Sequence, residues 1–205
     1  KKIIPVKNLE TAEATKIYEN IFRAINIALV NELKFGLKKL NIDIWDVIKA
    51  SSTKPFGFMP FYPGPGMGGH CIPVDPFYLS WKSKEYNTEA KFIELAGEIN
   101  RKMTENVAHR VGKALNDHSK SIRDSKILIL GLAYKKDIDD MRESPALKII
   151  ELLKFKGANI CYYDPFIKNA TNIEYEELSK DNLAKADAVL ITTDHSNVDY
   201  EKVGK

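Results

Sequence analysis

The sequence predicts an α/β protein in two parts, an all-helical domain over residues 1–120 and a doubly wound parallel sheet over residues 121–205. Three observations carry this. Apolar residues in the first part recur at every fourth position, the spacing of one helix face. At Ser125 the composition changes, and Lys126-Ile127-Leu128-Ile129-Leu130-Gly131 reads as a buried parallel strand ending in a glycine turn. Beyond it strand and helix signals alternate, the order that builds a parallel sheet with helices on both faces.

The elements follow in chain order. Ile17, Ile21, Ile25, Leu29 and Leu33 mark one core-facing stripe of a long helix over residues 11–40, and a short helix follows over 44–50. From Pro55 to Gly69, nine of fifteen residues are proline or glycine, a run that excludes both helix and central strand. It predicts a long ordered loop, and such loops are usually functional. Helical periodicity returns over 76–86 and again over 88–117, where Phe92, Leu95, Ile99, Met103 and Val107 share a face. In the second part, Ser144-Pro145 opens a helix with a cap and a first-turn proline, and Gly157 stops it after Phe155. A strand over 159–163, a helix over 182–186 and a strand over 188–193 complete the alternation.

Composition narrows the function. The chain of 205 residues is 44% hydrophobic and 29% charged, with 31 basic and 28 acidic residues dispersed to a net charge of +3. No basic block tracks a phosphate backbone, so nucleic acid is not an expected partner. No apolar run approaches the roughly 20 residues of a membrane span, and the first residues lack a signal-peptide pattern, so a cytoplasmic protein is expected. Cys71 and Cys161 are too few for a disulfide framework, and the histidines show no metal-ligand spacing, so no metal is expected.

The segment Gly64-Pro65-Gly66-Met67-Gly68-Gly69-His70-Cys71-Ile72-Pro73-Val74-Asp75-Pro76 carries the most chemical information. Gly64, Gly66 and Gly68 let backbone amides approach a phosphate or ribose without side-chain obstruction, and the cysteine falls at the mouth of the following helix. A helix N-terminus favours the nucleophilic thiolate. Asp75 by itself reads as an N-cap or first-turn acid stabilised by the helix dipole. Lys16 and Asn20 lie four apart on one helix face, with Arg23 one turn further. Taken by itself Lys16 reads as a solvated lysine.

This segment resembles the active-site signature of the UDP-glucose and UDP-N-acetylhexosamine dehydrogenases. Supporting matches are Ala14-Thr15-Lys16-Ile17-Tyr18-Glu19-Asn20 before it, and Gly131-Leu132-Ala133-Tyr134-Lys135 and Arg142-Glu143-Ser144-Pro145 after it. The resemblance implies a helical dimerisation domain followed by a Rossmann-like UDP-sugar-binding domain. It implies NAD-dependent four-electron oxidation of the sugar C6 alcohol to a carboxylate, through a thiohemiacetal and a thioester on Cys71. Lys16 and Asn20 would then contact the reacting oxygen, and Asp75 would help activate water. Arg23, Tyr62, the three glycines, Tyr134 and Lys135 would contact the nucleotide sugar, and Arg142, with Cys71, would face NAD. A homodimer would form through the first long helix, with a basic residue near Lys54 lent to the neighbouring subunit.

The resemblance also implies an NAD-binding domain ahead of these residues, so the chain reads as the later part of a longer enzyme, inactive alone. Asp164 stands where a ribose acceptor would sit in a full dinucleotide fingerprint, and it reads instead as a turn cap. The form His70-Cys71-Ile72-Pro73-Val74-Asp75 resembles the N-acetylhexosamine branch, and Pro76-Phe77-Tyr78-Leu79-Ser80-Trp81-Lys82 tips the reading toward UDP-N-acetylglucosamine. UDP-N-acetylmannosamine and UDP-glucose remain alternatives, as do a binding and dimerisation module without chemistry and a thiol hydrolase.

Overall fold

The computed structural model describes residues 3–203, which divide into two compact units. The first runs to Gly64 and resumes over His70–Asn100. The second comprises Pro65–Gly69 and the chain from Arg101 onward.

The first unit is helical. Asn8 caps α1 (Leu9–Lys39) by accepting from the Thr11 amide at 2.9 Å, and Asp43 caps α2 (Ile44–Ser51) through the Trp45 amide at 2.9 Å. The unbroken loop over 52–74 then leads to α3 (Asp75–Lys84), which has Pro76 in its first turn, and to the start of α4 (Lys91–Asp117). The buried face of α1 is not the expected isoleucine stripe. Its buried residues are Asn20, Ala24, Ala28, Val30 and Asn31, whereas Ile17, Ile21 and Ile25 are half-buried and Leu29 and Leu33 are exposed.

The physical reason is that α1 packs through small residues and hydrogen-bonded amides, which a hydrophobic count scores as polar. Asn31 Nδ2 donates to Asn100 Oδ1 at 3.1 Å, and Asn100 Nδ2 donates to the Ala24 carbonyl at 3.2 Å. Each buried amide thus has partners, which removes most of its desolvation cost. The expected face of α4 shifts similarly at its start: Phe92 and Leu95 are exposed, and Ile93, Ala96 and Asn100 are buried.

The second unit is a four-stranded parallel sheet of order β3-β2-β1-β4, made from β1 (Lys126–Leu130), β2 (Asn159–Tyr163), β3 (Glu174–Tyr175) and β4 (Ala188–Ile191). Alternation along β1 covers both faces. Ile127 and Ile129 join Ala108, Val111 and Leu115 of α4 and Ile149 and Leu153 of α5 (Pro145–Phe155). Leu128 and Leu130 join Cys161, Leu183 of α6 (Lys180–Lys185) and Tyr200 of a closing 3-10 helix (Tyr200–Lys202). Strand β3 was not expected; at two residues it is too short to leave a period in the sequence. Strand β4 ends two residues earlier than expected, as the Thr192 and Thr193 amides both turn onto the Leu130 carbonyl. Burial pushes the Cys161 thiol up to about 11 and the Tyr200 hydroxyl up to about 12.

Candidate active site

In the first unit the fold brings Asn20 and Asp75 together across 55 residues of sequence. Asn20 is 1% exposed, and its Nδ2 donates to Asp75 Oδ2 at 2.8 Å. Its Oδ1 is buried with no hydrogen-bond partner, and the amide keeps a second N–H for another acceptor. Such an orphan is costly in a finished core.

Cys71 is exposed, so its thiol is accessible. It does not sit at the first turn of α3, because a turn over 71–74 intervenes. Its carbonyl, not its sulfur, meets the amides there, accepting from Val74 at 3.2 Å and Asp75 at 2.8 Å. The N-cap of α3 is Val74, without a side-chain bond, so Asp75 is the first helical residue and its carboxylate is engaged by Asn20. Lys16 and Arg23 are exposed one turn to either side of Asn20, and both reach toward Glu19 Oε2, at 3.8 Å and 3.9 Å. His70 is exposed, and the Tyr62 ring stacks on Trp45 with centroids 5.7 Å apart.

The glycines have reasons other than the expected one. The Gly64 amide is not open to a phosphate, since it donates to Asn31 Oδ1 at 2.9 Å. In the second unit, Gly68 lies where an added Cβ would come within 2.6 Å of Tyr134 Cβ. At Gly69 (φ 90°) it would come within 2.8 Å of the Tyr134 ring, and the Gly69 amide donates to the Arg142 carbonyl at 3.1 Å. These two glycines therefore allow close packing on Tyr134. By residue type Gly64, Gly66 and Gly69 fit the Gly-x-Gly-x-x-Gly spacing, but they follow no strand and two of their three amides are occupied.

Tyr134 and Lys135 follow β1, at the carboxyl edge where open α/β sheets bind ligands. Tyr134 is half-buried, its amide donating to the Asp140 carbonyl at 2.9 Å, and Lys135 is exposed. Arg142 is exposed and holds Asp140 through Nε and Nη2, the latter at 2.7 Å. Sequence reasoning passed over Asn31 and Asn100, whose only signal was asparagine within helical stripes, and His195, which had none. It did read Asp164 as a turn cap, and Asp164 Oδ1 accepts from Phe166 at 2.8 Å and Ile167 at 3.1 Å.

The helical unit thus carries an exposed thiol and an Asn–Asp pair, and the second unit is a parallel sheet flanked by helices. The chain belongs to the UDP-glucose/GDP-mannose dehydrogenase family: residues 10–102 match the family's central domain and residues 128–205 its UDP binding domain. It is 36% identical to a UDP-N-acetyl-D-mannosamine dehydrogenase of Methanococcus vannielii, over 94% of this chain and 43% of that one. To the enzyme of the same name from Campylobacter jejuni it is 40% identical, over 92% of this chain and 46% of the other. The solved structure of a UDP-D-ManNAc dehydrogenase from Pyrococcus horikoshii superposes with a TM-score of 0.85 at 34% identity, over 97% and 46% of the two chains. The chain thus spans a little under half the length of these relatives.

Proposed function

We propose that this chain carries the thiol chemistry and nucleotide-sugar recognition of a 6-dehydrogenase that oxidises a UDP-N-acetylhexosamine to its uronate with NAD. The observation that supports this best is the buried Asn20, hydrogen-bonded to Asp75 four residues beyond the exposed thiol of Cys71. Among the epimers, UDP-N-acetylmannosamine is favoured over the N-acetylglucosamine expected from residues 76–82, because the relatives above carry the mannosamine name.

NAD would accept the hydride in both oxidations. The turn after β1 does not fit its pyrophosphate, since the Leu132 and Ala133 amides are spent on Asp164. What these residues would do is hold and release the carbon chain. The Cys71 thiolate adds to the C6 aldehyde to form a hemithioacetal. After this is oxidised to the thioester, water attacks, the C–S bond breaks, and the thiolate leaves with the carboxylate released. Lys16 and the second N–H of Asn20 would offset the negative oxygen at each addition. Asp75, held by Asn20, would take the proton of the attacking water. A homodimer through α1 would cover Leu29 and Leu33, which the described chain leaves exposed.

The test is Cys71→Ser in the full-length protein. Carboxylate formation should be lost while UDP-sugar binding is kept, because a serine hydroxyl without a dedicated base is a poor nucleophile. The parent should form two NADH per sugar, and fastest with the N-acetylmannosamine substrate. Normal turnover in the serine variant would overturn the thiol mechanism.

A further inference from the structure

The loop that carries Tyr134 and Lys135 has no regular structure, and its two ends are held by one buried pair. Asp164 and His195 are both fully buried at their side chains. Asp164 Oδ2 accepts from the Leu132 amide at 2.7 Å and the Ala133 amide at 3.2 Å, and lies 3.2 Å from His195 Nε2. On the other side of the ring, Nδ1 accepts from the Asp137 amide at 3.1 Å. A backbone N–H pointing at Nδ1 places the ring hydrogen on Nε2, which then donates to Asp164. Histidine thus offers an acceptor on one edge and a donor on the other, spanning from the exit of the loop to the carboxylate that holds its start. An aliphatic residue of similar volume would leave the Asp137 amide without its acceptor. The neighbouring chain reinforces the exit: Ser196 donates to Asp137 through its amide and its hydroxyl, each at 2.7 Å, and Lys136 lies 3.4 Å from Asp194.

We infer that His195 is a positioning residue for Tyr134 and Lys135, fixing the 132–137 loop in the form that receives a uridine diphosphate. This rests on the proposed function, which gives Tyr134 and Lys135 to the nucleotide sugar. His195 touches no ligand itself and works through Asp164 and the Asp137 amide.

The test is titration of the 205-residue chain with UDP by calorimetry, at a temperature well below unfolding. Two variants separate the edges of the ring. His195→Asn keeps an acceptor near the Nδ1 position, and His195→Gln keeps a donor near Nε2. Each should bind UDP several-fold more weakly than the parent, and His195→Ala at least tenfold, with circular dichroism unchanged. Equal affinity in folded variants overturns the inference and leaves the proposed function standing. If the parent itself does not bind UDP, both fall. Should the variants fail to fold, hydrogen exchange of the parent decides. Bound UDP should slow exchange at Leu132, Ala133 and Asp137, and unchanged exchange at all three would overturn the inference.

Discussion

Replacing Gly68 by alanine would push a methyl group into a space already filled by the second unit. The added carbon would lie 2.6 Å from Tyr134 Cβ, 2.9 Å from the Glu143 carbonyl oxygen and 2.9 Å from Pro145 Cδ. None of these three partners can rotate away, since Tyr134 Cβ is fixed by its own backbone. The carbonyl is backbone leading into the capped start of α5, and the proline ring is the first residue of that helix. Overpacking of this kind costs about 1–3 kcal/mol, and rigid partners put Gly68→Ala near the upper end. For a unit of roughly 100 residues, about 3 kcal/mol corresponds to a fall of about 12 °C in Tm. Gly36→Ala is the control, since nothing lies within 4 Å of its Cβ position in the last turn of α1, and it should stabilise by up to about 0.5–1 kcal/mol. Scanning calorimetry reads both, and limited proteolysis should show residues 65–69 newly cleavable in the Gly68 variant. A Gly68→Ala chain melting within about 2 °C of the parent would refute the close packing inferred for this glycine.

Three further outcomes are expected. Iodoacetamide at pH 8 should label Cys71 quickly and Cys161 only on unfolding, because Cys161 is buried with its thiol pushed up to about 11; mass spectrometry of peptides would show it, and equal rates would contradict it. Asn31→Ala should destabilise by about 2–4 kcal/mol in urea, since it strands the Gly64 amide and Asn100 Oδ1 together, and a loss under about 0.5 kcal/mol would mean that those groups find other partners. Asp187 is held below the usual carboxylate range by the Lys120 ammonium and then by the Lys126 amide. Its contribution is therefore complete above about pH 4 and is lost as the pH falls through its folded value. The stability gap between the parent and Asp187→Asn should accordingly be constant near neutrality and close below about pH 4, and a gap that widens on acidification would reverse the sign.

The helices and most of the sheet were legible because hydrophobic period, caps and glycine stops act locally. The Ser144-Pro145 start and Phe155 end of α5 come from such signals alone. What periodicity cannot read is a face buried by amides. Asn20, Asn31 and Asn100 count as polar, so the closely packed side of α1 was assigned to the isoleucines beside it. The candidate site was legible in its residues but not in its geometry. Cys71 and Asp75 stand out by composition, whereas the Asn20–Asp75 bond joins positions 55 apart that only folding brings together. His195 was illegible for a related reason: its partners come from two separate loops, and no spacing encodes them.

The five residues Pro65–Gly69 belong to the second unit although the chain on either side of them belongs to the first. Their partners come late: Tyr134 follows Gly68 by 66 residues (134 − 68), and Pro145 by 77 (145 − 68). Synthesis at about 5–20 residues per second delays Tyr134 by roughly 3–13 s after Gly68 has been added to the chain. Over that interval the segment leading into Cys71 has nothing to dock on. The loop therefore reaches its packed form only after the later unit has emerged, a delay set by where in the sequence the docking surface is encoded.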